Sequence, residues 1–271
     1  MCGTCGCALP HDHHDHAAHD RAEDAHAASE TVAVLGRLLE ANDHEAAHNR
    51  EHLDHHGVLA INLMSSPGSG KTRLLEATID ALAGRLRVAV IEGDLETEND
   101  ALRIRAKGVP AVQITTGTAC HLDAHMVHHA LHVLDMSALD ILFIENVGNL
   151  VCPASFDLGH HLNVTLLSVT EGADKPAKYP VMFRAADLLL LTKADLLHVI
   201  DDFDPREAEA HFRALANPAP VLQLSAREPD SLAPWIAWLE TQLARRRRGE
   251  ARQPQMQHEG RAWHASTAAA A

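Results

Sequence analysis

The sequence predicts an α/β fold in which a mostly parallel β-sheet is covered by helices on both faces. Short aliphatic runs alternate with segments of helical periodicity, a pattern typical of βαβ units. Of the 271 residues, 46% are hydrophobic and only 3% are aromatic, so the chain can bury a sizeable core and that core must be aliphatic. A length of 271 residues fits one large domain or two small ones.

Seven aliphatic runs are the predicted strands, and six periodic segments are the predicted main helices. In chain order the strands are Leu59–Met64, Val88–Glu92, Val112–Thr115, Ile141–Glu145, Val164–Val169, Leu188–Thr192 and Val221–Leu224. The helices are Lys71–Ala83, Asn99–Lys107, Leu122–Leu134, Pro176–Ala185, Pro205–Ala216 and Ser231–Arg245. We also expect one or two helices from about residue 30 to 55, because apolar residues recur there at helical spacing.

Charge and hydropathy argue against two classes of partner. The formal net charge of −14, with histidine neutral, disfavours a nucleic acid. No apolar run approaches the ~18 residues of a membrane span. The N-terminus also lacks the basic and apolar pattern of a signal peptide. We therefore expect a cytoplasmic protein with reduced thiols that binds neither nucleic acid nor membrane.

A phosphate-binding loop follows the first predicted strand and opens the first predicted helix. The segment Ser65-Ser66-Pro67-Gly68-Ser69-Gly70-Lys71-Thr72 is the Walker A pattern with Ser65 in place of the first Gly. We expect Lys71 to reach the β and γ phosphate oxygens and the Thr72 hydroxyl to bind Mg²⁺. The candidate nucleotide-binding residues here are Ser66, Pro67, Gly68, Ser69, Gly70, Lys71, Thr72 and Arg73. The chain is thus predicted to be a P-loop NTPase.

Three segments at predicted strand ends favour GTP over ATP. Glu145-Asn146-Val147-Gly148 resembles the Asp-x-x-Gly element of GTPases, and its carboxylate can hold a Mg²⁺-bound water. Thr192-Lys193-Ala194-Asp195 resembles the guanine-reading Asn-Lys-x-Asp, in which Asp195 would accept hydrogen bonds from the guanine N1 and N2 edge. Ser225-Ala226-Arg227 resembles the third guanine loop. Because Thr192 replaces Asn, an amide that braces the loop is missing, and we expect weaker base selectivity.

Asp94 is a further candidate near the phosphates. It ends the segment Glu92-Gly93-Asp94, directly after a predicted strand. We expect its carboxylate to coordinate Mg²⁺ or to orient the attacking water, and the alternative is a helix-capping acid. The candidate catalytic residues are therefore Lys71, Thr72, Asp94 and Glu145.

The N-terminal segment carries two groups of metal-ligand residues. Cys2-Gly3-Thr4-Cys5-Gly6-Cys7 places three thiols on a short loop, and thiolates select soft or borderline ions such as Ni²⁺. The histidines that follow suit nickel, copper and zinc, and a tract without fixed geometry should bind several ions weakly, as a store does. The candidate ligands are Cys2, Cys5 and Cys7 and, for weaker binding, His11, His13, His14 and His16. The alternative is a solvated polar tail.

A second candidate metal site lies near the nucleotide. Cys120-His121 opens a predicted helix and Cys152-Pro153 closely follows Glu145–Gly148, so both lie near strand ends, where nucleotides bind in open α/β sheets. Cys120, His121 and Cys152 are therefore candidate ligands beside the element that would sense the γ-phosphate. With three ligands per chain, a symmetric dimer can pool ligands across its two-fold axis. The alternative is that both cysteines are small buried thiols.

One predicted helix face is rich in histidine. His121, His125, His128 and His132 fall within about 60° of one another on a helical wheel. We hypothesise that this stripe, with His125 as a weaker ligand, is an auxiliary site or a relay for the ion. A solvated polar face is the alternative.

Together, these motifs resemble the HypB family, the nickel-inserting GTPases of NiFe-hydrogenase maturation. The matching segments are Cys2–Cys7, Ser65–Thr72, Glu92–Asp94, Cys120-His121, Glu145–Pro153, Glu171–Pro176 and Lys178–Pro180. The resemblance implies a SIMIBI-class P-loop GTPase that forms a homodimer on GTP. It implies a tight nickel site at Cys2, Cys5 and Cys7, and a weaker nickel or zinc (Ni²⁺ or Zn²⁺) site at Cys120, His121 and Cys152. It also implies two partners, the small zinc-containing accessory protein HypA and the hydrogenase large-subunit precursor.

The predicted function is that of a slow, switch-like GTPase that stores Ni²⁺ and delivers it to the precursor. Three alternatives remain: a urease-type nickel-insertion GTPase, a passive nickel or zinc buffer with little GTPase activity, and a small-molecule kinase. The predicted regions are a disordered metal-binding tail over 1–28, a helical lead-in over 29–57, the GTPase domain over 58–245 and a disordered tail over 246–271.

Overall fold

The computed structural model describes residues 38–96 and 98–250. The chain divides into two units, Met1–Ala41, of which only residues 38–41 are described, and Asn42–Ala271. Helix α1 covers 38–55 among the described residues, as the periodicity predicts. The predicted tails and region boundaries stay predictions, because most of these residues lie outside the described part of the chain.

A seven-stranded sheet forms the centre of the second unit, and every strand pair in it is parallel. The strands are β1 (Leu59–Ser65), β2 (Val88–Asp94), β3 (Ala111–Thr115), β4 (Ile141–Glu145), β5 (Leu162–Ser168), β6 (Leu188–Thr192) and β7 (Val221–Gln223). Their order in the sheet is β3-β2-β4-β1-β5-β6-β7. The predicted architecture, a parallel sheet with helices on both faces, is confirmed.

The helices after α1 follow the predicted order. They are α2 (Lys71–Leu82), α3 (Asn99–Arg105), α4 (Ala124–Leu131), α5 (Lys175–Lys178), α6 (Pro180–Arg184), α7 (Pro205–Arg213) and α8 (Ala233–Arg247). The predicted helix Pro176–Ala185 is broken in two, because Pro180 lacks an N–H and Tyr179 before it leaves the helical region, with φ −125° and ψ 57°.

Apolar residues cover both faces of the sheet. On β1, Leu59 and Ile61 belong to a cluster with α2 and α8, whereas Ala60 between them belongs to a cluster with α1 and α4. A third cluster involves α6 and α7. The continuous apolar runs of the central strands follow from this two-sided burial. The core is mainly aliphatic as predicted, although the indole of Trp235 is fully buried and its N–H donates to the Thr78 hydroxyl at 2.9 Å.

The carboxyl ends of the strands carry the segments that the sequence singled out. Ser65, Glu145 and Thr192 are the last residues of β1, β4 and β6. In an open parallel sheet the carboxyl ends share one edge, which is where ligands bind. Among the described residues, no helix is both long and apolar enough to cross a bilayer.

Candidate nucleotide and metal sites

The predicted phosphate-binding loop connects β1 to α2. Gly68 and Gly70 adopt positive φ angles of 76° and 94°, which side chains with a Cβ rarely tolerate. The turn therefore needs both glycines and directs the N-terminus of α2 toward the carboxyl edge of the sheet. The buried ammonium of Lys71 donates to the Ser65 hydroxyl at 3.1 Å and lies 3.9 Å from Glu145 Oε1.

Two buried carboxyl groups lie beside the loop. Glu92 of β2 and Glu145 of β4 are register partners on neighbouring strands, and Thr72 Oγ1 donates to Glu145 Oε1 at 3.0 Å. Burial, followed by the charge of Glu145, raises the pKa of Glu92. Burial also raises the pKa of Glu145 against the opposing effect of Lys71. Such a pair is stabilised by a cation between or beside the carboxylates.

The donor set fits Mg²⁺. Glu92 Oε1 and Glu145 Oε2 are buried and have no hydrogen-bond partner among the described residues. Magnesium prefers oxygen ligands and is commonly held by one or two carboxylates together with substrate phosphates. Thr72, Glu145 and Glu92 supply oxygen donors at the end of the phosphate-binding loop.

Glu92 is a residue that the sequence reasoning missed. We expected Asp94, since it follows the predicted strand, but β2 extends to Asp94 and Glu92 is the residue paired with Glu145. Asp94 is half-buried, and its Oδ1 accepts from the Leu95 N–H. The strand pairing of Glu92 was not visible in the sequence. Asp94 therefore remains a candidate and Glu92 joins it.

The segment after β4 packs directly on the phosphate-binding loop. A Cβ added to Gly148 would lie 2.9 Å from Pro67 Cα and 3.0 Å from Pro67 N. Such a contact is too close for any side chain, so Gly148 permits the backbone approach. The backbone of Gly148 is therefore in direct contact with the phosphate-binding loop.

Glu171 is a second residue that was missed as a site residue. Its Oε1 accepts from the Ser69 hydroxyl at 2.8 Å and from the Ser168 N–H at 3.1 Å. Glu171 lies in the family motif Glu171–Pro176, but the motif predicts no particular role for it. The structure places it as a carboxylate support for the phosphate-binding loop.

The candidate base-reading segments lie at the ends of β6 and β7. The Thr192 hydroxyl donates to the Ser69 carbonyl at 2.8 Å, so this segment is braced against the phosphate-binding loop after all. Lys193 adopts a left-handed conformation, with φ 56°. Arg227 Nη1 lies 3.9 Å from Asp195 Oδ2, which brings the Ser225–Arg227 segment to Asp195. The Arg227 N–H donates to the buried Ser225 hydroxyl at 3.1 Å, and Ala226 lies between them.

The structure brings Cys120, His121 and Cys152 together. One donor atom of each lies within 4.8 Å of the others. The two free thiols are 2.9 Å apart, and Cys120 Sγ is 3.7 Å from His121 Nδ1. The His121 ring stacks on Phe156 with centroids 3.9 Å apart. Burial raises the pKa of Cys152 and lowers that of His121, so both of these side chains favour their neutral forms in the folded chain.

Asn146 connects this cluster to the nucleotide side. Its Oδ1 accepts from the Leu122 N–H at 3.2 Å, immediately after His121, and from the Val147 N–H at 3.0 Å. Its Nδ2 donates to Asn62 Oδ1 in the middle of β1, also at 3.2 Å. Because Glu145 precedes Asn146, one short segment contacts both candidate sites.

The predicted histidine stripe is wrong as a continuous helical feature. Asp123 caps α4 by accepting from the Met126 N–H at 2.8 Å, so the helix begins at Ala124 and His121 lies before it. His125 instead pairs with His129, their Nε2 atoms 3.2 Å apart. His128 and His132 instead lie beside histidines of α1.

Several predicted ligands cannot be placed. The tail candidates lie outside the described residues: Cys2, Cys5, Cys7, His11, His13, His14 and His16. Arg73, within the described part, is an exposed side chain that donates to the buried Glu76 carboxylate at 3.2 Å. The placed residues form a glycine-containing loop between a parallel strand and a helix, with buried carboxylates beside the loop. This arrangement defines a P-loop nucleotide-binding protein.

Comparisons with known proteins identify the family. Residues 59–223 match the family model described as the CobW/HypB/UreG nucleotide-binding domain. The hydrogenase maturation factor HypB of Azotobacter vinelandii is 53% identical over 220 residues, covering 81% of this chain and 72% of that protein. HypB of Escherichia coli (strain K12) is 50% identical over 205 residues, covering 76% and 70%. The chain therefore belongs to the CobW/HypB/UreG family and, within it, to the HypB proteins.

Solved structures agree with this assignment. The structure of HypB from Helicobacter pylori in complex with nickel has a TM-score of 0.73 and 43% identity, covering 78% of this chain and 97% of that one. HypB from Archaeoglobus fulgidus has a TM-score of 0.70 and 39% identity, covering 76% and 100%. The resemblance inferred from the motifs is confirmed.

Proposed function

We propose that this protein is a GTP-hydrolysing metallochaperone that binds and stores Ni²⁺ and delivers it to the NiFe-hydrogenase large-subunit precursor. Relatives named hydrogenase maturation factors, for example one that is 53% identical, support the recipient. The relative from Helicobacter pylori solved in complex with nickel supports the cargo. The proposed reaction converts GTP and water to GDP and phosphate.

The proposed nucleotide is GTP. Asp195 would accept from the guanine N1 and N2 edge, and adenine lacks that pair of donors, so ATP would leave a carboxylate unsatisfied. The contact of Asp195 with the Ser225–Arg227 segment and the brace from Thr192 to Ser69 support a formed base-reading edge.

The proposed hydrolysis relies on positioning and charge. Lys71 binds the β and γ phosphate oxygens, and Thr72, Glu145 and Asp94 hold and orient groups around the metal. Mg²⁺ held by these residues would neutralise part of the phosphate charge. Glu92 Oε1 and Glu145 Oε2, which have no hydrogen-bond partner in the described part of the chain, support this arrangement, because a bound cation would satisfy them.

One observation carries the coupling between nucleotide and nickel. Asn146 accepts from the Leu122 N–H beside His121, while its neighbour Glu145 accepts from Thr72 of the phosphate-binding loop. A shift of this segment when the γ-phosphate is lost would move one side of the Cys120, His121 and Cys152 cluster. GTP and GDP forms would then favour different ligand geometries and hold or release the ion.

The remaining parts of the proposal follow from the family. We propose a GTP-dependent homodimer that acts in the cytoplasm, with HypA as an accessory partner. The tail residues Cys2, Cys5 and Cys7 would form the tight nickel site, and the histidines from His11 onward would store further ions. Zn²⁺ would compete for the cluster at Cys120 and Cys152.

Nickel release from the purified full chain tests the coupling. The chain is loaded with Ni²⁺ and mixed with GTP, GDP or a non-hydrolysable GTP analogue, and release is followed with a chromogenic chelator. We expect different rates with GTP and GDP and no such difference in Lys71→Ala. Equal rates with every nucleotide would contradict the proposal.

The same samples separate the alternatives. A passive buffer predicts background GTP turnover that is equal in the parent chain and in Lys71→Ala. A small-molecule kinase predicts nickel release independent of nucleotide. A urease-type factor predicts nickel transfer to apo-urease rather than to the hydrogenase precursor.

A further inference from the structure

A cluster of histidines lies between α1 and α4. It shares no residue with the candidate nucleotide site or with the cluster of Cys120, His121 and Cys152. On α1, His48 and His52 are four residues apart and so share one face of the helix. On the α4 side, His128 and His132 have the same spacing. Histidines at this spacing on one helix face are a recurring metal-binding pair.

The two pairs face each other. The His48 and His128 ring centroids are 5.2 Å apart, and those of His52 and His132 are 5.9 Å apart. Within the α4 pair, the Nε2 atoms of His128 and His132 are 3.0 Å apart. Two nitrogens bound to one ion at ~2.1 Å are separated by roughly 3 Å, so this pair is already spaced as neighbouring ligands.

The hydrogen bonds of Asn49 determine which nitrogen of His128 is free. Asn49 Nδ2 donates to the carbonyls of Ala124 at 2.7 Å and Leu158 at 3.2 Å, so its Oδ1 is the atom that lies 3.0 Å from His128 Nδ1. An amide oxygen only accepts, and therefore His128 Nδ1 carries the proton. Its Nε2 keeps a lone pair and faces His132.

Glu45 completes the orientation of His128. Its Oε1 lies 3.3 Å from His128 Nδ1, and donor atoms of Glu45, His48 and His128 lie within 4.8 Å of one another. A histidine that ligates a metal through one nitrogen usually donates its other N–H to a carboxylate or amide, which fixes the ring. Glu45 and Asn49 provide such a support.

We propose that His48, His52, His128 and His132 form a further metal site, which binds a divalent late first-row ion such as Ni²⁺ or Zn²⁺. Four imidazoles without a thiolate suit nickel, copper and zinc. To bind, His132 moves its proton from Nε2 to Nδ1 by exchange with water, which makes the lone pairs of both Nε2 atoms available to the ion. The site ties α1 to α4 and does not depend on nucleotide.

The test removes the cysteine thiols and the tail histidines and keeps the full chain. In the background variant, Cys2, Cys5, Cys7, Cys120 and Cys152 become Ser, and the tail histidines at 11, 13, 14, 16, 19 and 26 become Gln. Equilibrium dialysis against Ni²⁺ or Zn²⁺ should give one ion per chain. Adding His48→Gln and His132→Gln should abolish it, since both side chains are exposed and their loss leaves the core intact.

A matched control uses two other histidines of α1. His44→Gln with His55→Gln changes exposed side chains and should keep the bound ion. Equal loss in both double variants, or no ion in the background variant, would overturn the site. The thermal unfolding midpoint gives a second readout: metal should raise it in the background variant and in the His44/His55 control, and a rise that persists in the His48/His132 variant would also overturn the site.

Discussion

The Thr192 hydroxyl donates to the backbone carbonyl of Ser69, 123 residues earlier in the chain, at 2.8 Å. It therefore joins the candidate base-reading segment to the phosphate-binding loop. Thr192→Val removes the donor at nearly constant volume and leaves a buried carbonyl unpaired, at a cost of about 1–3 kcal/mol. We expect weaker GTP binding by calorimetry and a lower free energy of unfolding. Thr192→Ser keeps a hydroxyl and should stay close to the parent, and equal losses in both variants would argue against the brace.

The contact of Gly148 with Pro67 allows no side chain. In Gly148→Ala the new Cβ would lie 2.9 Å from Pro67 Cα, so the loop or the segment after β4 must move. Overpacking of this kind costs about 1–3 kcal/mol. We expect lower stability in urea unfolding together with weaker nucleotide binding. Val151→Ala, at an exposed neighbour, should change neither.

Glu145 should determine how much Mg²⁺ the reaction needs. Glu145→Gln keeps an oxygen that can accept from Thr72 and removes the negative charge. The Glu145 carboxylate would hold a Mg²⁺-bound water, and loss of such an outer-sphere partner weakens metal binding by about 10–100-fold, so half-maximal GTP turnover should need correspondingly more Mg²⁺. Glu96→Gln, at an exposed site after β2, is the control. An unchanged Mg²⁺ titration would remove Glu145 from the proposed metal site.

Asn146 should affect the coupling between nucleotide and nickel release, and it should not be needed for the binding of either ligand. Asn146→Ala removes the acceptor of the Leu122 and Val147 N–H groups. We expect the nickel release rates with GTP and GDP to converge, while each ligand still binds. The cost in stability is about 1–3 kcal/mol, which urea unfolding measures separately. A preserved difference between the two rates would show that the coupling takes another route.

His161 should make the fold acid-sensitive. Its Nδ1 accepts from the Ala60 N–H at 2.9 Å, and its Nε2 is 3.1 Å from Asp54 Oδ1. Because Nδ1 accepts a hydrogen bond, it carries no proton, and the ring is neutral in the folded chain. Burial lowers the pKa of His161 from 6.5 to about 4. The unfolded chain therefore takes up the proton first as the pH falls, and stability is lost between pH 6.5 and about 4.

Urea unfolding at pH 7.5 and pH 5, with chelator present, measures this loss. The parent chain should lose about 2 kcal/mol more than His161→Gln between the two values. Asp54 does not confound the comparison. Its hydrogen bonds to His161 and Arg246 outweigh burial and lower its pKa to about 2, so it stays charged in this range. Equal losses in both chains would contradict the assignment.

The local motifs were sufficient to predict the phosphate-binding loop and the parallel sheet. Glycines at fixed spacing before Lys71 and Thr72 describe a loop whose geometry depends mainly on its own backbone. Continuous apolar runs indicated strands that are buried on both faces. Both features depend on residues that are close together in the chain, so they can be predicted from the sequence.

The tertiary structure decided the contacts between distant segments. Glu92 faces Glu145 because of the pairing of β2 with β4, and strand pairing is not encoded in either segment alone. The histidine stripe was misjudged because the cap at Asp123 shifted the start of α4 and because α1 packs beside it. Cys120 and Cys152 meet because the loops after two parallel strands share one edge of the sheet. The order of the strands therefore determines which donor atoms come within reach of one ion. No local sequence pattern specifies that order.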